Sequence, residues 1–557
     1  MKNRIQFLLS LIFLYIHSAC TRDVGTELVQ VHIPFLWENA TIYFLLTDRF
    51  SNGDTSNDFS YGRKRDGARL RDFMGGDLKG ITLKIREGYF DRLGVNAIWM
   101  TPVFEQVHGA FDEGYGKNYA FHGYWIKDWT SLDANFGTYT DLEALVKLAH
   151  EHKIRVILDV IINHTGPVTE QDEGWPSEWV RTTPMCTYQD YQSNVACTIA
   201  LNPDIRTESD KPVELPAFLT DKWKKEGRYE KEMTELDEFF TRTGYPRAPR
   251  YYIIKWLSDY VRKLGVDGFR VDTAKHTEAS VWDELSSEAA IAFSEWKKDH
   301  PAEVFDDREF FIVGEAYGYH INDGRKFNYG DTTINFFNHG FTSLINFQFK
   351  SDANNPYQNL FQNYSDILNG PLSEKSVLNY ISSHDDAEPF DKNRERLLES
   401  AMKLLLSPGA AQIYYGDELA RPLIIDGTTG DATLRSMMNW GDLERDVPKG
   451  RFTTRKILDH WCRLGKFRHD HPAVGAGVHE KLGDDPYIFK RTLNKQGIID
   501  QVVVVMGSHT GRVSVEGIFP ERSEVMDYYS GELSRVRKGE VRFNTSDQML
   551  LLGLPAR

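Results

Sequence analysis

The sequence contains little cysteine and no basic tract, and both absences narrow the possible functions. There are four cysteines in 557 residues, without a Cys-x-x-Cys motif or a Cys/His cluster, so nothing indicates a zinc site. Asp and Glu outnumber Lys and Arg by 81 to 66, which gives a formal net charge of −15. Because phosphate backbones are bound by clustered positive charge, we expect no nucleic-acid partner.

The overall composition is that of a large globular protein. Hydrophobic residues make up 41% of the chain and charged residues 26%, which excludes a disordered chain, a collagen-like fibre and a multi-span membrane protein. A length of 557 residues predicts about three or four structural units. No internal repeat, long low-complexity run or coiled coil is present in the sequence.

The N-terminal segment has the pattern of an export signal. Lys2 and Arg4 precede an apolar run from Ile5 to Ile16, which is too short to span a bilayer comfortably and has the form of a signal-peptide core. We predict a signal peptide at 1–20 and a linker at 21–40. The pattern predicts an exported protein of the periplasm or cell envelope.

The end of this segment indicates the type of signal. Small residues directly before Cys20 resemble a bacterial lipobox, in which the cysteine is lipidated after cleavage. His17 departs from the aliphatic residue usual in that motif, and a plain secretory signal cut near the same point is the alternative. We predict the lipoprotein type, with attachment to the outer membrane through Cys20.

Export changes the interpretation of the other cysteines. Cys186 and Cys197 lie eleven positions apart in a loop-like stretch, and in an oxidising compartment they can pair as a local staple. Two unpaired buried thiols are the alternative, because spacing alone does not establish a bridge. Cys462 lies in a helical stretch.

Alternating elements predict an α/β fold built on a (β/α)8 TIM barrel. Near-continuous apolar runs are typical of strands buried on both faces of a parallel sheet, and helix-like segments separate them. The eight predicted strands are Ile42–Thr47, Ala97–Thr101, Arg155–Val160, Gly268–Asp272, Phe310–Glu315, Leu344–Phe349, Val377–Ser382 and Ala411–Tyr415. The predicted helices are Lys84–Leu93, Thr140–His152, Arg250–Leu264, Ser280–Lys298 and Arg394–Leu406.

Two stretches do not fit a bare barrel. The connection after the third strand is far longer than the usual ~2–6 residues, which predicts an inserted domain at about 164–248 within a catalytic barrel at 41–470. After that, short strands alternate with Gly and Asp turns and predict an antiparallel β-sandwich domain at 471–557. Its strand candidates are Tyr487–Lys490, Gln501–Gly507, Gly511–Val515 and Met549–Leu552.

Four of the predicted strands end in charged and histidine side chains. In a TIM barrel the catalytic residues lie at these C-terminal strand ends. Paired carboxylates without a metal cluster or a Ser/His pair point to cleavage of glycosidic bonds. Arg270 lies two residues before Asp272, so both face the same side of a strand, and its charge favours an ionised Asp272. Glu315 follows an apolar run, where burial raises the pKa of a carboxyl and favours the acid role.

These strand ends resemble the sequence regions of the α-amylase family of glycoside hydrolases. Asp-Val-Ile-Ile-Asn-His-Thr at 159–165 and Gly-Phe-Arg-Val-Asp-Thr-Ala-Lys-His at 268–276 are highly specific for that family when they occur in this order. Segments 43–58 and 119–125 resemble the family's opening strand with its loop and its stacking segment. The resemblance extends from about Thr41 to the C-terminus.

The resemblance implies a role for each matching residue. Asp272 would be the nucleophile, Glu315 the general acid/base and Asp385 the residue that grips ring hydroxyls in the transition state. The implied reaction is retaining and passes through a covalent β-glucosyl intermediate. The substrate-binding residues that the family implies are His122, Tyr124, His164, Arg270, Lys275, His276 and His384.

The family also implies calcium as a cofactor. Asn163, Asp204 and the backbone carbonyl of His276 match its structural site between the inserted domain and the barrel, and such hard oxygen ligands suit Ca²⁺. A second group resembles a calcium site of cyclodextrin-forming relatives, with a solvated acidic turn as the alternative interpretation. That group consists of Asn52, Asp54, Asn57, Asp58, Gly75 and Asp77.

The leading functional hypothesis is an exported, monomeric α-amylase that cleaves α-1,4 bonds inside starch, glycogen and maltodextrins. One alternative is a cyclomaltodextrinase or maltodextrin glucanotransferase on the same scaffold, because the sequence does not fix the ratio of hydrolysis to transfer. Another is an inactive glycan-binding protein. The presence of Asp272, Glu315 and Asp385 together argues against that last alternative.

Overall fold

The computed structural model describes residues 35–545 and 547–555. The predictions on the signal peptide at 1–20 and on lipidation of Cys20, together with most of the linker, lie outside the described residues. Within the described part of the chain, no helix combines the length and apolarity needed to cross a membrane.

Eight parallel strands close into a barrel, which confirms the predicted fold class. The first strand pairs with the second and with the eighth, and the register Thr41↔Ala411 closes the ring. All eight strands are buried on both faces, as their apolar composition requires. The strands are β1 (Thr41–Leu45), β2 (Ala97–Met100), β3 (Arg155–Val160), β4 (Gly268–Val271), β5 (Phe311–Gly314), β6 (Ser343–Asn346), β7 (Ser376–Tyr380) and β8 (Ala410–Tyr414).

Helices surround the barrel close to the predicted positions, with one clear correction. The predicted helix at 84–93 is instead a helix at Leu78–Arg86 followed by a separate turn at Tyr89–Arg92. Gly88, with φ +67°, breaks the two apart, and Asp77 caps the first at its N-terminus. The helices of at least eight residues are α1 (Leu78–Arg86), α2 (Tyr139–Glu151), α3 (Ala217–Lys225), α4 (Tyr229–Thr243), α5 (Pro249–Leu264), α6 (Ala279–Asp299), α7 (Tyr357–Leu368), α8 (Leu397–Leu405) and α9 (Thr454–Asp470).

The long connection between β3 and β4 has structure of its own. It contains a short antiparallel pair, Val180–Arg181 with Asp204–Ile205, followed by α3 and α4. Cys186 and Cys197 form a disulfide with their Cα atoms 4.9 Å apart, so the first of the two sequence interpretations is the one that the structure adopts. Cys462 is a free, partly buried thiol in α9.

The C-terminal region contains a six-stranded antiparallel sheet, as the fold prediction expects. A two-stranded ribbon, Arg512–Ser514 with Glu540–Arg542, packs on one face of this sheet around a separate apolar core. The other face belongs to the apolar cluster of the barrel. In chain order the strands of the sheet are Val478–Asp484, Tyr487–Lys495, Ile498–Met506, Glu524–Asp527, Leu533–Arg535 and Met549–Gly553.

Candidate active site

Arg270, on β4, lies at the centre of the charged cluster at the carboxyl ends of the strands. Its Nη1 lies 2.7 Å from Asp272 Oδ1 and 2.9 Å from Asp159 Oδ1, and its Nη2 lies 2.9 Å from Glu315 Oε2. The guanidinium is only 1% exposed. Three carboxylates around one buried cation leave the cluster net negative when all are ionised, so they compete for that cation.

The two carboxylates predicted to catalyse the reaction have opposite pKa shifts. Burial raises the pKa of Glu315 well above its usual range, and the charges of Asp272 and Asp385 add to this shift. Burial also acts on Asp272, but the charge and hydrogen bond of Arg270, together with His164 and Thr273, outweigh it and hold the pKa of that carboxyl below its usual value. One group is thus kept protonated and the other ionised, which is the division of roles that an acid and a nucleophile need.

The backbone between the two carboxylates is unusual. Thr273 has φ +48° and ψ +37°, in the left-handed region that non-glycine residues seldom adopt. In this conformation its N–H donates to Glu315 Oε2 at 2.9 Å. Such strain is found mainly at functional sites, and here it fixes the orientation of the Glu315 carboxyl.

Asp159 is a member of the cluster to which the sequence analysis assigned no role. It lies on β3 directly opposite Arg270 in the strand register. Besides Arg270 it accepts hydrogen bonds from Trp99 Nε1 at 3.0 Å and from Tyr124 OH at 2.8 Å. Burial raises its pKa to about 7. The sequence did contain a signal for this role, because Asp159 begins the family-like segment at 159–165 at the end of a predicted strand.

Asp385 lies at the open side of the cluster, with its side chain 34% exposed. Ser383 Oγ donates to its Oδ1 at 3.3 Å. The enclosing cleft and the charge of Asp272 raise its pKa, while Arg270 and Arg435 oppose that rise. It is therefore the predicted catalytic carboxylate most accessible to a ligand.

Three aromatic rings form a wall beside the carboxylates. The Tyr124 ring lies nearly parallel to those of His122 and His384, with centroids 5.9 and 5.3 Å away. The Tyr124 N–H donates to His122 Nδ1, which leaves the proton of the neutral ring on Nε2. Burial lowers the pKa of both histidines well below the usual value, so they face a ligand as neutral hydrogen-bonding groups.

The remaining predicted binding residues follow strands β3 and β4 in the chain. His164 is buried, and burial lowers its pKa. Lys275 and His276 follow β4 in a turn of 3-10 helix, and the His276 Nδ1–H donates to Asn194 O at 2.8 Å. Lys275 Nζ lies over the rings of Tyr188 and Tyr317, 5.5 and 5.4 Å from their centroids. Neither tyrosine was assigned a role from the sequence.

The three residues of the first predicted calcium site do come together. The Asn163 amide lies 3.0 Å from Asp204 Oδ1 and 2.9 Å from His276 O, measured from Nδ2. Asp204 is 1% exposed, and burial raises its pKa to about 8 although Arg181 lies 2.8 Å from its Oδ2. The Asn163 NH2 group donates to both oxygens in this structure. If the amide oxygen and nitrogen exchange places, an amide oxygen, a carbonyl oxygen and a buried, undercompensated carboxylate converge, and such a set fits a hard cation such as Ca²⁺.

Side chains alone do not define a metal centre in this protein. Across residues 35–545 and 547–555, no three or more His, Cys, Asp or Glu side chains are arranged to hold a metal ion. The first calcium group includes a single carboxylate, that of Asp204, so it depends on the amide and carbonyl oxygens.

The second predicted calcium group is only partly assembled. Asn52 Nδ2 donates to Asp58 Oδ1 at 2.8 Å, and a Cβ at Gly75 would lie 2.5 and 2.6 Å from those two atoms. Asn57 Oδ1 is buried without a hydrogen-bond partner among the described residues.

Two members of that group are directed elsewhere. Asp77 accepts from the backbone N–H groups of Gly53, Asp54 and Gly80 at 2.6 to 3.0 Å, as the N-cap of α1. The Asp54 carboxylate binds Lys79 Nζ at 2.6 Å. Both carboxylates are therefore bound by donors of the protein itself, and Asp77 is fully buried.

Comparison with known proteins gives a consistent family assignment. A model of the α-amylase catalytic domain matches residues 44–449. The periplasmic α-amylase of Escherichia coli K12 is 37% identical over 515 residues, which cover 81% of this chain and 69% of that protein. A cyclomaltodextrin glucanotransferase of Paenibacillus macerans is 25% identical, over 86% of this chain and 61% of its own length.

Solved structures support the architecture. The crystal structure of an Anoxybacillus α-amylase superposes with a TM-score of 0.61 and covers 94% of this chain and 99% of its own. Sequence identity is 22%, so this match bears on the fold alone.

Proposed function

The chain belongs to the α-amylase family of glycoside hydrolases, and we propose that it is an exported α-amylase that hydrolyses internal α-1,4 bonds of starch, glycogen and maltodextrins with retention. The observation that carries the proposal is the cluster around Arg270. One guanidinium holds Asp272 and Glu315 together, while their surroundings move their pKa values in opposite directions. Retaining glycosidases need two carboxyl groups close together, about 5–5.5 Å apart, in these two protonation states.

In the first step, the Asp272 carboxylate attacks the anomeric carbon as Glu315 transfers its proton to the departing glycosidic oxygen. A covalent β-glucosyl ester on Asp272 and a shortened glucan result. In the second step, Glu315, now ionised, removes a proton from water, which attacks the same carbon and releases the α-anomer. Two inversions at one carbon give overall retention.

The surrounding residues bind and orient the sugar. Tyr124 offers a flat face to the ring at the cleavage point, while His122, His164 and His384 supply neutral nitrogens to its hydroxyls. Asp385, the exposed carboxylate, binds hydroxyls more tightly as the ring flattens. Asp159 acts through others, because it holds both Arg270 and the Tyr124 hydroxyl in place.

Calcium is proposed as a structural cofactor. Bound by Asn163, Asp204 and the His276 carbonyl, it would compensate the buried charge of Asp204 and tie the inserted segment to the end of β4. We also propose the domain division given by the sequence, with the barrel at 41–470, the insertion at about 164–248 and the C-terminal domain at 471–557. The separate secondary-structure elements of these regions, and the distinct apolar core under the C-terminal ribbon, support it.

Export to the periplasm or envelope is part of the proposal. The disulfide between Cys186 and Cys197 supports it, because such bonds persist in oxidising compartments. Membrane attachment through Cys20 is tested by the mass of the mature N-terminal peptide, which carries a lipid only if the lipobox interpretation is correct. We propose a monomer, which gel filtration with light scattering tests.

A proton NMR time course with amylose and added calcium tests the activity. Wild type should release α-anomeric reducing ends before mutarotation, and Asp272→Asn should lose several orders of magnitude in rate. Asp283→Asn, an exposed carboxylate on α6, is the matched control and should keep full activity. Early β-anomers, or an active Asp272→Asn enzyme, would refute the assignment.

Glucan transfer is the second candidate, favoured by the similarity to a cyclomaltodextrin glucanotransferase. It shares both carboxylates and the glucosyl intermediate, but a sugar hydroxyl replaces water in the second step. Mass spectra and a reducing-end assay of the same reaction distinguish the two. Cyclic products, or linear products without a net gain of reducing ends, identify transfer, and linear maltooligosaccharides with one new reducing end per cleavage identify hydrolysis.

A further inference from the structure

A disulfide-closed loop, residues 186–197, lies against the predicted binding residues that follow β4. Within it, the Ser193 hydroxyl accepts from the N–H groups of Gln189 and Asp190, and a short helix spans Gln192–Val195. At its base, Cys186 N–H donates to Thr198 O at 3.1 Å beside the disulfide. The loop is thus closed twice, by a covalent bond and by the backbone.

The loop contacts His276 through its own backbone. The His276 Nδ1–H donates to Asn194 O at 2.8 Å, and both residues are buried. This bond places the proton on Nδ1 and leaves Nε2 of the neutral ring as an acceptor for a hydroxyl. The orientation of the imidazole therefore depends on where the loop holds one carbonyl.

The loop also supplies an exposed aromatic ring. Tyr188 is 54% exposed, has φ +58°, and lies 5.7 Å from the His276 ring at 71°. Lys275 Nζ lies within 5.5 Å of the centroids of the Tyr188 ring and that of Tyr317. A tyrosine in the left-handed region is held there at a free-energy cost, and the closed loop is what constrains it.

The proximity of these residues to Glu315 argues that they lie on the leaving-group side of the scissile bond. Tyr317 is two residues beyond Glu315, the proposed acid, and the N–H of Thr273, two residues before Lys275, donates to Glu315 Oε2 at 2.9 Å. A general acid that protonates the leaving oxygen must lie on that side of the bond. Groups beyond it therefore contact the sugar that departs, or the sugar that accepts in a transfer reaction.

We propose that the Cys186–Cys197 loop is a positioning element that orients Tyr188 and His276 to hold the leaving-group portion of the glucan. This inference rests on the proposed function and extends it to a part of the chain with no catalytic residue. Because the loop touches none of the three catalytic carboxylates in the described hydrogen bonds and ion pairs, its effect should be on binding at one side of the bond.

Two substrates separate this role from general destabilisation. Maltoheptaose places glucose units on the leaving-group side of the bond. In maltosyl fluoride the leaving group is only a fluoride ion, so no sugar occupies that side. For Cys186→Ser/Cys197→Ser we expect kcat/KM on maltoheptaose to fall about tenfold and that on maltosyl fluoride at most about twofold. Cys462→Ser, which removes the free thiol of α9, is the matched control and should change neither.

A second set of variants keeps the disulfide. Tyr188→Ala should show the same substrate-dependent loss and a changed product pattern from maltoheptaose, and Tyr188→Phe should restore both because it keeps the ring. Equal losses on the two substrates, or no loss on either, would overturn the inference. Wild type without activity on maltosyl fluoride and maltoheptaose would instead overturn the proposed function, and this inference with it.

Discussion

At the residue scale, the site is defined by competition for Arg270. Asp159, Asp272 and Glu315 all contact one guanidinium, and a single positive charge does not compensate three negative ones. Asp272 is the carboxylate that Arg270 stabilises most in its ionised form, since its pKa is lowered while those of Glu315 and Asp159 are raised. Glu315 and Asp272 thus differ in protonation state because they share Arg270 as a neighbour and respond differently to their surroundings.

The pH dependence of kcat/KM should reflect this division. Activity needs ionised Asp272 and protonated Glu315, so it should fall at low pH as the lowered pKa of Asp272 is crossed. At high pH it should fall as the raised pKa of Glu315 is crossed, well above the range of an ordinary glutamate. Initial rates on a maltooligosaccharide between pH 3 and about 10 measure both limbs.

One variant tests whether Glu315 acts as the proton donor. Glu315→Gln should be inactive on oligosaccharides, but with maltosyl fluoride, whose leaving group needs no proton, it should still form the glycosyl-enzyme. Loss of that first step as well would show that Glu315 does more than donate a proton.

The sequence identifies some members of this site and not others, for a physical reason. Arg270 and Asp272 are two apart on one strand, so the alternation of side chains predicts that they share a face. Asp159 meets Arg270 across two strands, and that pairing depends on register, which a single sequence does not reveal. The same holds for Tyr188, whose loop is distant in sequence from Lys275.

At the element scale, α1 shows how a local cap can resemble a ligand set. Asp77 accepts three backbone N–H groups, one from its own helix and two from the loop at Gly53 and Asp54. One carboxylate thus begins the helix and holds the preceding loop. The same spacing between the loop at 53–54 and Asp77 that suggested a calcium site is therefore also expected for a helix cap that holds a loop.

Replacing Asp77 tests which description holds. Asp77→Ala should destabilise the protein by about 1–2 kcal/mol, because an N-cap and the loop amides lose their acceptor. Thermal unfolding with and without chelator measures the loss, which should be the same in both. Thr138→Ala, which removes the capping-box threonine of α2, is the control. A loss seen only when calcium is present would identify Asp77 as a metal ligand.

At the scale of the whole molecule, the C-terminal sheet faces two cores. Leu551 belongs to the apolar cluster of the barrel, whereas its neighbours Leu550 and Leu552 belong to the cluster under the two-stranded ribbon. The alternation along one strand therefore divides its residues between the two layers. The sheet is covered on both faces, so it is part of the structure that supports the barrel.

Matched truncations should distinguish the two cores. Leu551→Ala and Leu550→Ala each remove a fully buried side chain and should cost about 2–5 kcal/mol. Hydrogen exchange should show faster opening of barrel helices only in Leu551→Ala, and of the ribbon in Leu550→Ala. Identical exchange patterns would mean that the two cores open as one.

Calcium removal should also act on the whole molecule, because the proposed ligands come from segments far apart in sequence. Chelator should lower the melting temperature of wild type, since an ion at about 100 times its dissociation constant stabilises by about 2.7 kcal/mol. Asp204→Asn should lose this sensitivity and Asp54→Asn should keep it. The reverse result would assign the ion to the second group.

The fold was largely predictable because the barrel strands are apolar on both faces and regularly spaced. All eight predicted strands overlap the observed ones. The boundaries of α1 were not predictable from the apolar pattern, because Gly88 and the Asp77 cap determine them. In the 164–248 stretch the sequence offered the Cys186–Cys197 pair as one of two interpretations, but it did not predict the short strand pair or the helices, because these follow no single period.

The pairing of the first barrel strand with the eighth determines how much of the chain must be available before the barrel can close. Thr41 meets Ala411, so the ring stays open until nearly the whole catalytic region has left the ribosome. Until then the growing chain presents unpaired strand edges, which invite association with other chains. Closure over such a long separation is slow, and premature termination before β8 leaves an open sheet. We therefore expect the chain to be prone to aggregation until β8 is available to close the ring.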